Sequence, residues 1–547
     1  MNTKRRSLLQ WWRMVAVVTG LALISCGFTG LTAVTPAQAA GIHAPIVGSG
    51  STWSANALQA WIRNVWANYQ WKITYSESGS TIGRTDFANG TADFGVSEIP
   101  YAISNSNEKD TRPSRPFAYM PVVAGGTAFM YNLMISGRRV TNLRLSGTTI
   151  AKIFTGAITR WNDPAIKADN PLLALPAIPI VPVVRSDGSG ATAQVSIWLR
   201  QMYPKYWDAY CGKVGRPLVG GHCGVTSNYP VAAGSGFVSR SGSNGVAGYV
   251  AQAHAVGAIT FVEYSYALNS GFPVAKVLNA AGYYTEPTAQ NVAVALLKAR
   301  INSDKSSVDY LTQNLSGVYT DTDKRTYPLS SYSYIILPTS AQNGFTADKG
   351  RTLADFGAYF LCEGQQSAEV LGYSPLPINL VKAGQSQIQK IPGGDPVIKG
   401  ISDCNNPTFS KSGANKLAMT APYPPACDKQ GATQCTAGTG GAKQTTTGTS
   451  SGGTNTSAGA GSGAGAQAPG VGTGANDPLA SGGSDPALST TAAQQQTGTP
   501  QSIPLARPTA AAYASMVSAG LLLATSVLLP PLLLRRRRRG VDREVKR

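Results

Sequence analysis

Histidine is nearly absent from this chain, with three residues in 547. A catalytic site needing an imidazole base has few residues to draw on. A Ser/His hydrolase would have to use Ser189 as nucleophile with His43 or His254 as base. Ser189 lies in Asp-Gly-Ser-Gly, not in the Gly-x-Ser-x-Gly elbow. No Cys-x-x-Cys pair accompanies His222 and Cys223, so no metal is expected. The Gly/Ser turns lack the Gly-Lys-Ser/Thr ending, which excludes a Walker loop. The middle of the chain lacks Lys/Arg clusters interleaved with aromatics, so nucleic acid is not an expected partner. No cofactor is expected, and the chain reads as a binding module, not an enzyme.

The net charge is +19. Four basic residues and no acid fall in the first 39 positions, and eight basic and two acidic in the last 13, leaving an excess of +9 between. A basic central region draws anions towards it. Residues 1–39 read as an export signal: Lys4, Arg5 and Arg6, a mainly apolar stretch from Met14 to Val34, then Ala37-Gln38-Ala39 as a cleavage site. Leu23-Ile24-Ser25-Cys26 supports a rival reading, a lipoprotein processing box with a lipidated Cys26. Six cysteines remain after cleavage at Ala39, and an even count in an exported chain favours disulfides. Cys211–Cys223 and Cys427–Cys435 are the expected local pairs, leaving Cys362–Cys404, although sequence alone does not fix the connectivity.

The far end changes character. From Thr436 to Pro508 the chain is nearly all Gly, Ala, Ser, Thr, Gln and Pro, too poor in apolar surface to order itself. As a flexible linker it would span roughly 50 Å. Ala510 to Leu534 is apolar and long enough to span a bilayer, and Arg535 to Arg539 follow at once, which places the C-terminus inside and the main body outside. No sortase motif is present.

The organising stretch is Val183 to Thr192, Val-Val-Arg-Ser-Asp-Gly-Ser-Gly-Ala-Thr. An apolar, strand-like run enters it, and Ala191, Val195, Trp198 and Leu199 leave it at helical spacing. Ser189 suits a helix N-cap. The first N–H groups of such a helix suit an anion, Arg185 adds forked donors, and Asp187 can fix their direction. A plain connecting turn with an Arg185–Asp187 surface pair, stabilising by under about 1 kcal/mol, is the blander alternative. Two more strand–turn–helix units weigh against it. Gly48-Ser49-Gly50-Ser51-Thr52-Trp53 offers the Thr52 hydroxyl and the Trp53 N–H, and Gly79-Ser80 places Ser80 at a helix start. Glu98 ends a further strand, where open α/β sheets carry functional groups.

Strands are expected at 44–47, 72–75, 92–96, 121–132, 257–264 and 334–338, and helices at 242–254, 288–301 and 352–366. Alternating short strands and helices argue for an α/β fold. With Ile153 to Trp161 (Ile-Phe-Thr-Gly-Ala-Ile-Thr-Arg-Trp), Gly257 to Tyr264 and Tyr373-Ser374-Pro375-Leu376-Pro377 in the same order and spacing, residues 44–380 resemble the phosphate-binding protein of the Pst-type ABC phosphate transporter. The resemblance implies a two-lobed class II periplasmic-binding-protein fold with two crossover strands. Lobe one would comprise 40–124 and 331–410, and lobe two 125–330. The Cys-containing tail and linker would follow at 411–509, the transmembrane helix at 510–534 and a basic cytoplasmic tail at 535–547. It further implies inorganic phosphate as ligand and ABC permease subunits as partners. The phosphate contacts would fall on Thr52, Trp53, Ser80 and Glu98 from lobe one and on Arg185, Ser189, Gly190 and Ala191 from lobe two, with Asp187 orienting Arg185. Glu98 stands where that family has Asp, and Ala191 where it has Thr. Losing one donor to an anion costs on the order of 1.5–3 kcal/mol, so weaker affinity and a shifted oxyanion preference are both open. A membrane-tethered surface protein that uses such a domain for adhesion or scaffolding is the alternative reading.

Overall fold

The computed structural model of the chain describes residues 43–108, 110–394, 403–410 and 412–444. Short apolar runs form strands, and the 3.6-residue patterns after the Gly/Ser turns form helices. Strand β1 (Ile46–Gly50) leads to helix α1 (Ala55–Tyr69), β2 (Ile73–Ser76) to α2 (Ser80–Asn89), and β3 (Phe94–Ser97) follows. Helix α1 buries Leu58, Trp61, Ile62 and Val65 along one face. Helix α2 stops at Gly90, which takes φ of +75° as a left-handed cap. The long strand β4 (Phe117–Tyr131) comes next. Then follow α3 (Gly147–Phe154), β5 (Val181–Arg185), α4 (Gly190–Met202), β6 (Val238–Arg240), α5 (Gly242–Val250), β7 (Ala258–Glu263), β8 (Val274–Leu278) and α6 (Ala289–Leu296). Strand β9 (Ser330–Pro338) and helices α7 (Ala347–Leu361) and α8 (Ile378–Ile388) return the chain to the first lobe.

The main sheet runs β6-β5-β7-β4-β9-β3-β1-β2. Strand β1 is parallel to β2 and β3, and β5 is parallel to β6 and β7. Strand β4 joins these two parallel halves. It pairs antiparallel with β9 from Phe117 to Gly126, and with β7 from Thr127 to Tyr131. The result is the expected two-lobed α/β architecture with shared strands at the hinge. One apolar core, around Trp61, Phe94, Ile336 and Phe360, fills the first lobe. In the second lobe, Phe129, Phe154, Trp198 and Phe261 pack together in one cluster, and Met130, Val183, Val246 and Val262 in another. Alternate residues of β4 and β7 therefore supply opposite sheet faces.

Several elements depart from their expected bounds. Helix α6 is capped by Thr288 as expected, but stops at Leu296. Arg300–Ile301 instead pair with Gln313–Asn314, because a two-residue ladder takes their backbone groups. Helix α7 begins at Ala347, earlier than its apolar stripe, because the Thr346 side chain accepts the Lys349 N–H. It ends at Leu361, and Glu363–Ser367 form a 3₁₀ turn.

All three expected disulfides form, with Cα–Cα distances of 5.7, 4.8 and 5.1 Å. The tail expected from residue 411 onward needs a correction. Its described part, through residue 444, packs on the second lobe. Lys276 Nζ bonds Asp428 Oδ2 at 2.6 Å, and Arg144 Nη1 donates to the Cys427 carbonyl at 3.1 Å. Thr439, inside the stretch expected to be linker, is buried and donates its hydroxyl to the Val274 carbonyl at 2.6 Å. Low apolar content did not prevent order here, because backbone and side-chain hydrogen bonds to a preformed surface replace a core. Among the described residues no helix is long and apolar enough to cross a membrane. The export signal, Cys26, the later linker, the span at 510–534 and the basic tail lie outside the described residues.

Removing the eight-residue Cys427–Cys435 link with a double Cys→Ser change should lower stability by roughly 2–3 kcal/mol. Chemical denaturation with limited proteolysis checks this. New cleavage should fall between Tyr423 and Lys443, with lobe one left intact.

Candidate functional site

The expected site residues stand at the carboxyl ends of the strands, where open α/β sheets hold ligands. Thr52 and Trp53 follow β1, Ser80 opens α2 after β2, and Glu98 follows β3. Arg185 ends β5, and Ser189, Gly190 and Ala191 form the start of α4.

Glu98 is the centre on the lobe-one side and is only 1% exposed. Its Oε1 accepts the Ser51 hydroxyl at 2.5 Å and the Ser333 hydroxyl at 2.7 Å, and its Oε2 accepts the Ser80 hydroxyl at 2.7 Å. A carboxylate has about four acceptor positions, so three hydroxyls leave about one for the cleft. The opposite lobe meets this group directly. Gly190 N donates to Ser80 Oγ at 3.1 Å, and Gln194 Nε2 donates to the Glu98 carbonyl at 2.8 Å. A Cβ on Gly190 would lie 1.8 Å from Glu98 Oε2, so only glycine permits the approach.

Arg185 is the centre on the lobe-two side. Its Nε donates to Asp187 Oδ1 at 2.7 Å, its Nη2 to Asp187 Oδ2, and its Nη1 to Ser243 Oγ at 3.2 Å. Gly242 N also donates to Asp187 Oδ1, at 2.8 Å. Burial pushes the Asp187 carboxyl up, but the Arg185 hydrogen bond and charge, with the Gly242 N–H, outweigh it and hold it below the ordinary carboxylate range. Thr52 reaches this group from lobe one, with Oγ1 2.7 Å from Ser243 Oγ. Thr52, Ser80, Glu98, Arg185, Asp187 and Gly190 thus share one closed interlobe cleft.

The other expected donors have different partners. Trp53 N donates to Ser51 Oγ at 2.9 Å, and its indole to Thr127 Oγ1 at 3.4 Å. Ser189 Oγ accepts Thr192 N at 3.3 Å, as an N-cap does. Ala191 is buried, and its methyl joins the lobe-one core cluster across the cleft. Thr192 Oγ1 is buried without a hydrogen-bond partner.

Three cleft residues escaped sequence reasoning. Ser51 lies in the Gly/Ser turn after β1, beside the expected donor Thr52, and no local pattern sets the two hydroxyls apart. Ser243 carried the same signal as Ser189, a strand followed by Gly and a helix start. Ser333 carried none. The β4–β9 register slips between Tyr332 and Tyr334, and such irregularities re-aim a side chain in a way no periodicity shows. The histidines lie with other partners: His43 Nε2 is 2.7 Å from Asp355 Oδ2, and His222 Nδ1 is 2.8 Å from Asp208 Oδ2. Among the described residues no group of three or more His, Cys, Asp or Glu could hold a metal ion.

Glu263 ends β7 beside the cleft and is fully buried. Its Oε2 accepts Ser265 N at 2.8 Å. Burial pushes this carboxyl well above its ordinary range.

A family model described as a PBP superfamily domain matches residues 33–363. The phosphate-binding protein PstS of Xylella fastidiosa (strain Temecula1) is 32% identical over 337 residues, which is 62% of this chain and 83% of that protein. The phosphate-binding protein PstS of Methanocaldococcus jannaschii is 28% identical over 353 residues, covering 63% and 85% of the two chains. A solved phosphate-bound periplasmic phosphate-binding protein, PfluDING, aligns with a TM-score of 0.46 at 19% identity, over 65% of this chain and 100% of that one.

Gly190→Ala should keep the lobes from closing, because either Glu98 or helix α4 must move; overpacking of this kind costs about 1–3 kcal/mol. Small-angle scattering should show a larger radius of gyration than in the parent. Glu263 binds its proton more tightly in the folded than in the unfolded chain, so its share of stability is lost as pH rises above the ordinary carboxylate range. Glu263→Gln should therefore be more stable than the parent at neutral pH, with the difference shrinking towards pH 4. Urea titrations at several pH values check the sign.

Proposed function

The chain belongs to the PBP superfamily, and from that membership and the chemistry of the cleft we propose that it captures inorganic phosphate between its lobes and delivers it to an ABC permease. The observation that carries this reading is the pairing, in one buried cleft, of an oriented guanidinium with a hydroxyl-sheathed carboxylate. Arg185 supplies forked donors that match an oxyanion. Glu98 supplies an acceptor. Hydrogen phosphate has oxygens for the first and a P–O–H for the second. Sulfate lacks the proton and would set a lone pair against a buried carboxylate, an uncompensated contact of like charge. The likeness to the PstS proteins supports the same ligand.

Thr52, Ser80, Glu98, Arg185, Gly190 and Ser243 form the proposed phosphate shell, with Asp187 orienting Arg185. Trp53 belongs to it through its backbone N–H, once an anion draws Ser51 away from its present partner, Ala191 through its backbone N–H at the start of α4, and Ser189 through its hydroxyl. Closure follows from differential contact: donors from both lobes reach one anion only when the cleft is shut. The role is non-catalytic. We place the protein on the extracytoplasmic face of the membrane, tethered by residues 510–534 with the arginine tail inside.

Calorimetry of the full-length chain with phosphate, arsenate and sulfate tests this. Phosphate and arsenate should bind and sulfate should not. Arg185→Ala should abolish phosphate binding, since removing one partner of a buried charge pair costs about 3–5 kcal/mol, several hundredfold or more in affinity. Equal binding of sulfate and phosphate would refute the role given to Glu98.

A further inference from the structure

We propose that Glu108 is a positioning residue that latches the closed lobes and sets how long a captured anion stays; this rests on the capture reading above. After β3 the lobe-one chain crosses the cleft and joins lobe two as a short added strand. Ser106 forms a parallel bridge with Val225. Val225 N donates to the Asn105 carbonyl at 2.8 Å, and Asn107 N to the Val225 carbonyl at 3.2 Å. Arg216 Nη2 from lobe two donates to Asn107 Oδ1 at 2.6 Å. Glu108 closes the strap with both oxygens. Its Oε1 accepts Ser227 N at 2.6 Å, and its Oε2 accepts Ser227 Oγ at 2.7 Å.

Ser227 is a junction between the two halves of the anion cradle. Its carbonyl accepts Ser189 N at 2.9 Å, so it seats the N-cap of α4. Its hydroxyl lies 2.9 Å from Thr81 Oγ1, and Thr81 directly follows Ser80. Thr81 N donates in turn to the Gly188 carbonyl at 3.1 Å. Holding Ser227 therefore holds the Gly188–Gly190 turn against the start of α2. Arg84, which is fully buried, stands behind Glu108 as a nearby positive charge. Arg84 Nε donates to Asp110 Oδ2 at 2.7 Å, its Nη1 to Ser97 Oγ at 2.9 Å, and its Nη2 lies 3.9 Å from Glu108 Oε2. Ser97 is the residue before Glu98, so the same guanidinium holds the chain beside the cleft carboxylate and lies near Glu108.

Glu108 and Ser227 belong to different lobes, so their bonds exist only in the closed form. Hydrogen bonds to an ionised acceptor are roughly twice as strong as neutral ones. A contact made only after closure slows reopening and leaves the encounter rate alone. Glu108 touches no ligand in this scheme and acts through Ser227.

The test uses the full-length chain and inorganic phosphate in stopped-flow fluorescence, with Glu108→Gln, Ser227→Ala and the double variant. Glu108→Gln should speed phosphate release about tenfold and leave the association rate within about twofold, as affinity changes at one interface usually do. The effect of Glu108→Gln should shrink in the Ser227→Ala background, because the two residues act on one contact. Without ligand, Glu108→Gln should leave the melting temperature unchanged; with phosphate bound it should raise hydrogen exchange at residues 225–228. Release within twofold of the parent, or faster release matched by an equal loss of ligand-free stability, would overturn the latch. If the parent binds no phosphate, the capture reading fails and the latch falls with it; unchanged release in Glu108→Gln from a parent that does bind phosphate sinks the latch alone.

Discussion

Two opposite charges removed from water in one cleft are the constraint on which the rest of this structure depends. Burying an ion costs several kcal/mol even after relaxation, unless other groups take up its hydrogen-bonding capacity. Glu98 meets that condition with three hydroxyls, from Ser51, Ser80 and Ser333. Arg185 meets it with Asp187 and Ser243. The partners of Glu98 come from separate elements, so that charge is not satisfied until the sheet has assembled; Arg185 finds Asp187 two residues away and depends on assembly only for Ser243. The cleft is in this sense a product of the whole α/β body.

The sheet explains why two lobes can share the task. Strand β4 pairs with β9 in one lobe and β7 in the other without a break in the chain. A continuous strand transmits the hinge but keeps the two parallel halves in register. Carboxyl ends of both halves then face each other, and small residues let them approach. Gly79 shows the same need as Gly190: its backbone lies against Asp187 and Gly188 of the other lobe, where a Cβ would come within 2.7 Å of Asp187 Oδ2. Its φ of +93° is open to glycine and strained for other residues.

Outside the cleft, order is extended by hydrogen bonds more than by apolar burial. The segment around Cys427 and Cys435 carries few large apolar side chains, yet it holds to lobe two through Arg144, Lys276, Asn142 and Thr439. The buried acid at position 98 is accommodated in the same spirit. Its Oε2 comes up to Gly190, and the hydroxyls of Ser51 after β1, Ser80 at the start of α2 and Ser333 within β9 close around it.

Much of this protein was legible from local pattern. Strand–Gly/Ser–helix units at Gly48 to Trp53, Gly79-Ser80 and Arg185 to Gly190 announced an α/β sheet with its site at the strand ends, because glycine conformations and helix starts are local properties. The three cysteine pairings are those that spacing and count favour, although the connectivity itself is decided only in the folded chain. Other features depend on residues brought together from distant parts of the chain. Ser333 meets Glu98 across 235 positions through a register slip, and Thr52 meets Ser243 across 191. The junction at Ser227, and the burial of Thr439 in a stretch that reads as linker, likewise come from packing between elements far apart in sequence. Local preference decides what each segment becomes; which hydroxyl reaches which charge is settled only when the strands find their order in the sheet.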